Sequence, residues 1–336
     1  MRLLGDIAFM KIDTHHHFLP EAVLNYIQRH GSRLNSELVV KEGRTFVADH
    51  AGTSFPVFRK YYDHDAKIAD LNKMGIDMAI LSVVPNVYYY WADASAALEI
   101  ARISNDWVAD FCRQHPDRFR GMADIPMQDP EAALKELRRA HEDLKLNALG
   151  IAPEINDAQL DEKRFFPIYE YCAENNILLH LHPCFSTCKK ELQKYYNTNL
   201  VGNVYQTNLG LNHLLFGGVF EKFPKLKVFA SHGGGYFPYQ LGRLRHGYAV
   251  RQEPHENIPK SPELYVGNIY YDTITHWPAA LQFLVDQFGS DHVMIGTDYP
   301  FDMGDDHPVD HVRELRLTAQ ERENIYSSNA IALFGI

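Results

Sequence analysis

The segment KIDTHHH, residues 11–17, is the stretch from which the fold and the site can be predicted. Residues two apart on a β-strand point to the same side, so His15 and His17 can converge on one ion while His16 points elsewhere. Imidazole is a common ligand of zinc and of similar metals. An isolated HxH pair is weak evidence, because a histidine cluster at the surface would have the same sequence. The other predicted strands and the residues at their ends distinguish these two interpretations.

Seven further apolar, β-rich segments follow, and helical patterns lie between most of them. The eight predicted strands cover residues 11–17, 78–84, 119–125, 148–152, 177–182, 227–232, 269–272 and 293–297. Apolar residues at helical spacing predict helices over 65–74 and 94–115, and a proline suited to a first helical turn begins a predicted helix over 130–143. Strands that alternate with helices are typical of a parallel α/β fold. Eight such strands in 336 residues predict one (β/α)8 TIM barrel, with residues 1–336 forming a single domain.

Residues 19–63 do not follow this alternation and are predicted to be largely irregular. Within them ELVV (37–40) and RTFVA (44–48) are separated by KEG, which is typical of a β-hairpin. We therefore expect a small inserted hairpin cap after the first strand, at about residues 19–63.

Three more predicted strands end in side chains that can bind metals. The fifth ends in LHLH, where either His180 or His182 could be a ligand on spacing alone. The sixth ends in SHGGG with His232, and the eighth ends in GTDYP with Asp298. The carboxyl ends of barrel strands converge on one face, so these residues and the HxH pair are expected to share one site. The fourth strand ends in GIAP without a lysine that could bridge two metals, which favours one ion.

The HGGG motif at 232–235 also occurs in the oxyanion hole of esterases. That chemistry requires a nucleophilic serine in a GxSxG turn, and this sequence has none. We therefore reject a serine hydrolase.

The composition excludes several other classes of protein. A content of 46% hydrophobic and 23% charged residues is typical of a globular protein. The net charge of -10 argues against a nucleic-acid partner. No run of about 18 apolar residues predicts a membrane span, and the apolar run at the start is too short for a secretory signal. A cytoplasmic location is the expectation.

Five segments carry a resemblance to a known family. They are KIDTHHHFLP (11–20), VFR (57–59), LSVVPNVYYYWA (81–92), GGVFEKFPKLKVFASHGGGYFPYQLGR (217–243) and VMIGTDYPF (293–301). Together and in this order they resemble the amidohydrolase superfamily and, within it, the α-amino-β-carboxymuconate-ε-semialdehyde decarboxylase family. The resemblance extends over nearly the whole chain.

The resemblance implies roles for individual residues. It makes His15, His17, His182 and Asp298 the metal ligands, and so favours His182 over His180. It makes His232 the catalytic acid/base, with Asp298 also counted among the catalytic residues. The expected cofactor is one divalent ion, zinc first, with manganese or cobalt as alternatives.

The resemblance also implies substrate-binding residues. Arg59 corresponds to an arginine that binds a substrate carboxylate, and Phe301 corresponds to an aromatic residue of the pocket. Arg243 corresponds to a second carboxylate-binding arginine that reaches the neighbouring subunit's site, which implies a homodimer. Surface ion pairs are the alternative for both arginines, although guanidinium is well suited to bidentate carboxylate binding.

The predicted function is a metal-dependent, non-oxidative decarboxylase of a small unsaturated or aromatic carboxylic acid, of the muconate semialdehyde or hydroxybenzoate type. A bound ion activates water and polarises the substrate, while His232 transfers a proton. The sequence departs from the family pattern at Cys184-Phe185-Ser186, where a tryptophan is usual, and at Asp302-Met303-Gly304, so the substrate stays open. The role of Cys184 and Cys188 is open too.

Two alternative functions are kept. A hydrolase or hydratase could use the same metal site, with water attacking the substrate. A catalytically silent carboxylate sensor is the other, and His232 argues against it, because a pure binding protein needs no proton shuttle.

Overall fold

The computed structural model describes residues 9–49, 54–184 and 190–336. The strands are β1 (Ile12–Phe18), β2 (Ser36–Lys41), β3 (Arg44–Asp49), β4 (Ser54–Pro56), β5 (Met78–Val83), β6 (Phe119–Gly121), β7 (Ala148–Ile151), β8 (Glu154–Ile155), β9 (Ala158–Gln159), β10 (Leu178–Leu181), β11 (Val228–Ala230), β12 (Ile269–Asp272) and β13 (Val293–Met294). The helices are α1 (Glu21–Leu34), α2 (His64–Met74), α3 (Ala94–Gln114), α4 (Pro130–Glu142), α5 (Phe166–Glu174), α6 (Val204–Phe216), α7 (Val219–Lys222), α8 (Phe237–Val250), α9 (Pro278–Phe288), α10 (Pro308–Arg313), α11 (Ala319–Glu323) and α12 (Asn329–Phe334).

Eight of the strands are parallel and lie in two sheets, ordered β1-β5-β6 and β13-β12-β11-β10-β7. Backbone hydrogen bonds join the two sheets at both edges. Ala123 N–H donates to the Ala148 carbonyl at 2.7 Å, and Thr14 N–H donates to the Ile295 carbonyl at 2.8 Å. The predicted α/β class is confirmed, and each predicted strand overlaps an observed one, although the observed strands that begin at Phe119 and Val293 are shorter than predicted.

The parallel strands are covered on both faces by the rest of the chain. Every residue of β1, β5, β7 and β10 is buried, which is typical of parallel strands covered on two sides. Three of the intervening helices begin at an aspartate whose side chain accepts a backbone N–H of the first turn, namely Asp63 for α2, Asp93 for α3 and Asp129 for α4. These caps place the helix starts within one residue of the predicted positions.

An apolar cluster fills the region where the strands begin. Ile12, Met78, Ala148 and Leu178 are the first residues of their strands, and all are buried. Side chains of α12 complete the cluster. Its other buried members are Ile80, Met122, Phe229, Met294, Ala330, Leu333 and Phe334.

The segment 19–63 contains more regular structure than the sequence suggested. β2 and β3 pair as an antiparallel hairpin, and β4 adds a third strand. The helix α1 was missed, and the prediction of a largely irregular segment was wrong there. Its buried residues Val23, Tyr26 and Ile27 have helical spacing, but a kink at His30 beside Gly31 interrupts the pattern. Among the described residues, no helix combines the length and the apolar character required to cross a bilayer.

Candidate active site

Five polar side chains meet where four of the parallel strands end. His15 and His17 belong to β1, His182 follows β10, His232 follows β11 and Asp298 follows β13. The Nε2 atoms of His15 and His17 are 3.2 Å apart, and they lie 3.2 Å and 3.0 Å from Asp298 Oδ1. His182 Nε2 lies 3.7 Å from the same oxygen, and His232 Nε2 lies 3.4 Å from Asp298 Oδ2.

This cluster fits a single divalent ion. Two ligand atoms about 2.1 Å from one ion at tetrahedral or right angles lie roughly 3.0–3.4 Å apart, which is close to the observed spacing. The Nε2 atom of His182 is buried and has no hydrogen-bond partner among the described residues, which is consistent with a role as a metal ligand. Three imidazoles and one carboxylate also form a donor set that transition metals accept.

Two different sets of four side chains are candidates for the metal ligands. Candidate ligand atoms of His15, His182, His232 and Asp298 all lie within 4.8 Å of one another. The resemblance instead places His17 in the set and gives His232 a catalytic role. His17 Nε2 lies 3.0 Å from one oxygen of Asp298, and His232 Nε2 lies 3.4 Å from the other. The His232 side chain, 15% exposed, is also the most exposed of the five.

The pKa shifts in the cluster favour metal binding at His17 and His182 and oppose it at His15. Burial lowers the pKa of His182 to about 3 and also lowers the pKa of His17. Burial alone would raise the pKa of Asp298, but His15 and the hydrogen bonds from the histidines bring it well below its usual range. Burial also acts to lower the pKa of His15, but Asp298 and Asp272 raise it to about 10. An ion would therefore displace a proton from His15.

The two histidines at the end of β10 have different surroundings. His182 faces Asp298, whereas His180 Nε2 lies 2.9 Å from Ser231 Oγ and its ring stacks on Phe229. His180 therefore has a neutral hydroxyl partner instead of a carboxylate.

The SHGGG turn places His232 beside the cluster. His232 has a φ of 56° and Gly233 a φ of 59°, so the chain turns sharply through the left-handed region. A Cβ atom at Gly234 would lie 2.7 Å from the Tyr271 ring, and one at Gly235 would lie 2.3 Å from the Val204 carbonyl. Glycine is required here because the turn packs directly against its neighbours.

Two aspartates that sequence reasoning did not select organise the cluster. Asp272, the last residue of β12, accepts from His15 Nδ1 at 2.8 Å. Asp13 contacts His16 Nδ1 at 2.9 Å and accepts from the Thr297 hydroxyl at 2.6 Å. In the sequence, both are acidic residues within a predicted strand. Asp298 was selected by a similar signal, an acidic residue at the carboxyl end of a predicted strand.

A buried lysine, which was also not selected, lies behind β1. Lys67 of α2 has no exposed surface and donates from Nζ to the His17 carbonyl at 2.7 Å. The ring of His16 faces away from the cluster and stacks on Tyr299 at 4.4 Å. The chain on either side of the HxH pair is thus fixed by packing and hydrogen bonds.

The substrate-binding residues implied by the resemblance are placed at different depths. The Phe301 ring lies 5.1 Å from the His17 ring and forms part of the site. Arg59 begins a short 3-10 turn, is 74% exposed and pairs with Asp63 at 2.6 Å. Its turn reaches the site through Tyr61, whose ring lies 6.2 Å from Phe301. Arg243 is exposed on α8.

Two cavities open at the cluster. A small one of about 30 Å³ lies directly over it, between His182, His232, Asp298 and Phe301. A larger cavity of about 570 Å³ adjoins His232 and is lined by apolar side chains of α8 and α9, among them Phe283 and Leu284. Cys184 is buried, whereas Phe185, Ser186 and Cys188 lie outside the described residues.

The histidines and the aspartate at the carboxyl ends of the parallel strands form a candidate metal site, so the class indicated is an α/β protein with a metal centre. Residues 12–336 match the amidohydrolase family profile, so the chain belongs to this family. The recognition of the amidohydrolase superfamily from the sequence is confirmed.

Individual relatives are similar over most of their length. A 2-amino-3-carboxymuconate-6-semialdehyde decarboxylase from Dictyostelium discoideum is 32% identical over 97% of this chain and 92% of its own. A gamma-resorcylate decarboxylase from Polaromonas is 29% identical over 80% of this chain and 86% of its own. A crystal structure of 5-carboxyvanillate decarboxylase from Novosphingobium aromaticivorans, complexed with manganese and 4-hydroxy-3-methoxy-5-nitrobenzoic acid, superposes with a TM-score of 0.84. It is 26% identical and covers 99% of this chain and 97% of its own.

Proposed function

We propose that this chain is a metal-dependent, non-oxidative decarboxylase that acts on a small unsaturated or aromatic carboxylic acid. The observation that carries the proposal is the convergence of four histidines on the Asp298 carboxylate at one end of the strands. The relatives described above, which are named as decarboxylases, support the reaction type. Their names also support a substrate in which the carboxylate is attached to a conjugated or aromatic carbon.

In this proposal His15, His17, His182 and Asp298 hold one divalent ion, and His232 remains available for proton transfer. Zinc suits this donor set, and the manganese in the Novosphingobium structure makes manganese an equal candidate. When bound, the ion supplies positive charge that polarises a substrate oxygen.

His232 transfers the proton that the reaction needs. Its side chain is the most exposed of the five and borders both cavities. It donates a proton to the carbon that bears the carboxylate, and the conjugated system supplies the electron pair for the new C–H bond. The C–C bond to the carboxylate then breaks, its electron pair restores the conjugation, and carbon dioxide leaves. One proton is consumed and no redox cofactor is required.

The remaining residues bind the substrate. Phe301 borders the small cavity and presents its ring to a planar substrate. Arg59 binds the carboxylate once it exchanges its partner Asp63 for the substrate. Arg243, exposed on α8, reaches the site of a second copy of the chain in a homodimer.

We also infer that the eight parallel strands close into one (β/α)8 barrel that forms a single domain. The hydrogen bonds that link β6 to β7 and β13 to β1 through Ala123 and Thr14 support this closure. The antiparallel sheet β2-β3-β4 belongs to the insertion between β1 and α2, which we propose as the cap.

The first test combines metal analysis with an assay of carbon dioxide release. The purified protein is incubated with muconate semialdehydes and hydroxybenzoates, with and without a chelator. We expect about one equivalent of metal and turnover that the chelator abolishes. A metal-loaded protein that hydrates or hydrolyses its substrate without carbon dioxide release would support the hydratase or hydrolase. Absence of bound metal would overturn the proposal.

A further inference from the structure

The carboxylate of Asp272 is fully buried and accepts four hydrogen bonds. Its Oδ2 lies 2.8 Å from His15 Nδ1 and accepts from the backbone N–H of His232 at 2.8 Å. Its Oδ1 accepts from the N–H of Gly233 at 2.7 Å and from the N–H of Ile274 at 3.0 Å. Each of these four hydrogen bonds is therefore made either with His15 or with the backbone of a turn.

The first contact fixes the orientation of the His15 ring. A carboxylate that accepts from Nδ1 favours the imidazole with its proton on that nitrogen. The Nε2 lone pair then faces the cluster, where His17 Nε2 and Asp298 Oδ1 lie 3.2 Å away. Asp272 thereby selects the tautomer that can bind an ion.

The next two contacts fix the turn that carries His232. A residue with a Cβ atom seldom adopts a φ of 56°, and His232 does so directly before Gly233 at 59°. The N–H groups of both residues point at the same carboxylate. Their hydrogen bonds to a negative charge stabilise a conformation that the chain would otherwise leave.

We propose that Asp272 is a positioning residue that couples the metal centre to the proton donor, an inference that rests on the proposed function. One carboxylate holds both His15 and the His232 backbone, so a displacement of either histidine is transmitted to the other. Asp272 lines neither of the two cavities at the cluster, and in this proposal it acts only through these two partners.

The test compares Asp272→Asn with the matched control Asp124→Asn. Each carboxylate oxygen of Asp272 accepts two of the four hydrogen bonds. Asparagine keeps the size of the side chain but replaces one oxygen with an NH2 group, which cannot accept, so two of the four hydrogen bonds are lost. Asp124 is also buried near the end of a predicted strand. Burial raises its pKa well above its usual range, so this site favours a neutral side chain and an asparagine of the same size should disturb it little. It belongs to neither the cluster nor the turn.

Three measurements follow, and none of them needs turnover. Competition with a chromogenic chelator gives the Zn²⁺ affinity, which we expect to fall about 10–100-fold in Asp272→Asn and to stay unchanged in Asp124→Asn. The visible spectrum of the Co²⁺-loaded protein reports the ligand geometry and should change in Asp272→Asn alone. Backbone hydrogen exchange at residues 231–235 should accelerate in the same variant, in the presence or absence of metal.

The outcomes separate the two proposals. If the wild-type protein binds no divalent ion, the proposed function fails, and hydrogen exchange at the turn still tests what Asp272 holds in place. If Asp272→Asn keeps the wild-type affinity, Co²⁺ spectrum and exchange, the positioning role is wrong. The role is also wrong if Asp124→Asn causes losses of the same size, because the effect would then be a general response to changes of buried carboxyl groups.

Discussion

The two ends of the parallel strands differ in their chemistry. On β10, Leu178 is buried in the apolar cluster at the start of the strand, whereas His182, four residues later, faces Asp298. On β1, Ile12 and His15 show the same contrast. Burial of the apolar end stabilises the fold by about 25 cal/mol per Å². Burial of the polar end costs free energy unless each group has a partner. One end therefore supplies stability, and the other carries groups that an ion and a substrate can satisfy.

The largest effect is expected at the polar end, from Asp298→Asn. This carboxylate contacts all four histidines of the cluster, so its loss removes a proposed ligand and the group around which the histidines gather. Decarboxylation should fall by about 10³-fold or more, which corresponds to several kcal/mol of transition-state stabilisation. Metal analysis and carbon dioxide release measure the change. Retention of both would contradict the proposed site.

The next largest effect is expected from His232→Asn. Its kcat should fall by about 10²–10⁴-fold, because a positioned general acid contributes that much to the rate. The variant should keep its metal, whereas the matched variant His17→Asn should lose it. This pair of variants decides between the two sets of ligands. Loss of metal from His232→Asn but not from His17→Asn would make His232 the ligand.

At the apolar end, Leu178→Ala should lower the free energy of unfolding by about 2–5 kcal/mol, because it leaves a cavity in a closely packed cluster. Urea denaturation of the metal-loaded protein measures this change. The metal stoichiometry should not change, since Leu178 and His182 are about 13 Å apart along an extended strand. A variant that lost its metal while still folded would show that the two ends are coupled.

Removal of the ion by a chelator should lower the free energy of unfolding by about 2.7 kcal/mol relative to protein in free metal at one hundred times the Kd. The physical reason is that the ion binds the folded cluster and not the unfolded chain. Thermal denaturation at several metal concentrations measures the shift. The same shift is expected in Leu178→Ala, because the two sites share no partner. A different shift would contradict independent ends.

The smallest effect is expected from Ile80→Val in the apolar cluster. Loss of one methylene group from this buried side chain should cost about 0.5–1.5 kcal/mol of unfolding free energy. Turnover by the folded enzyme should stay within experimental error of the wild type. A change in kcat would mean that packing at this end controls the geometry of the cluster.

Part of the site could be predicted because the signal is local. The HxH pair and the strand-end residues His232 and Asp298 were selected from spacing and predicted strand ends, and the structure brings their side chains together. Spacing alone left His180 and His182 open. Their partners differ, Ser231 for one and Asp298 for the other, and these partners are distant in the sequence. The ligand roles themselves stay predictions until metal is measured.

Other features were missed because they depend on distant contacts. Asp272 lies 257 residues from His15, and nothing in the sequence around either one indicates their hydrogen bond. Lys67 has the sequence of an ordinary helical lysine, and only packing shows that it is buried against His17.

By itself, the sequence determined the α/β class, the positions of the eight parallel strands and the donor groups at their ends. These follow from the alternation of side chains along a strand and from the chemistry of each residue, which are local properties. The tertiary structure decided which donors meet, which carboxylate holds each histidine and which charged side chains are buried. These depend on how the whole chain folds, since β1 contacts the residues that follow β13 although all the other parallel strands lie between them in the sequence.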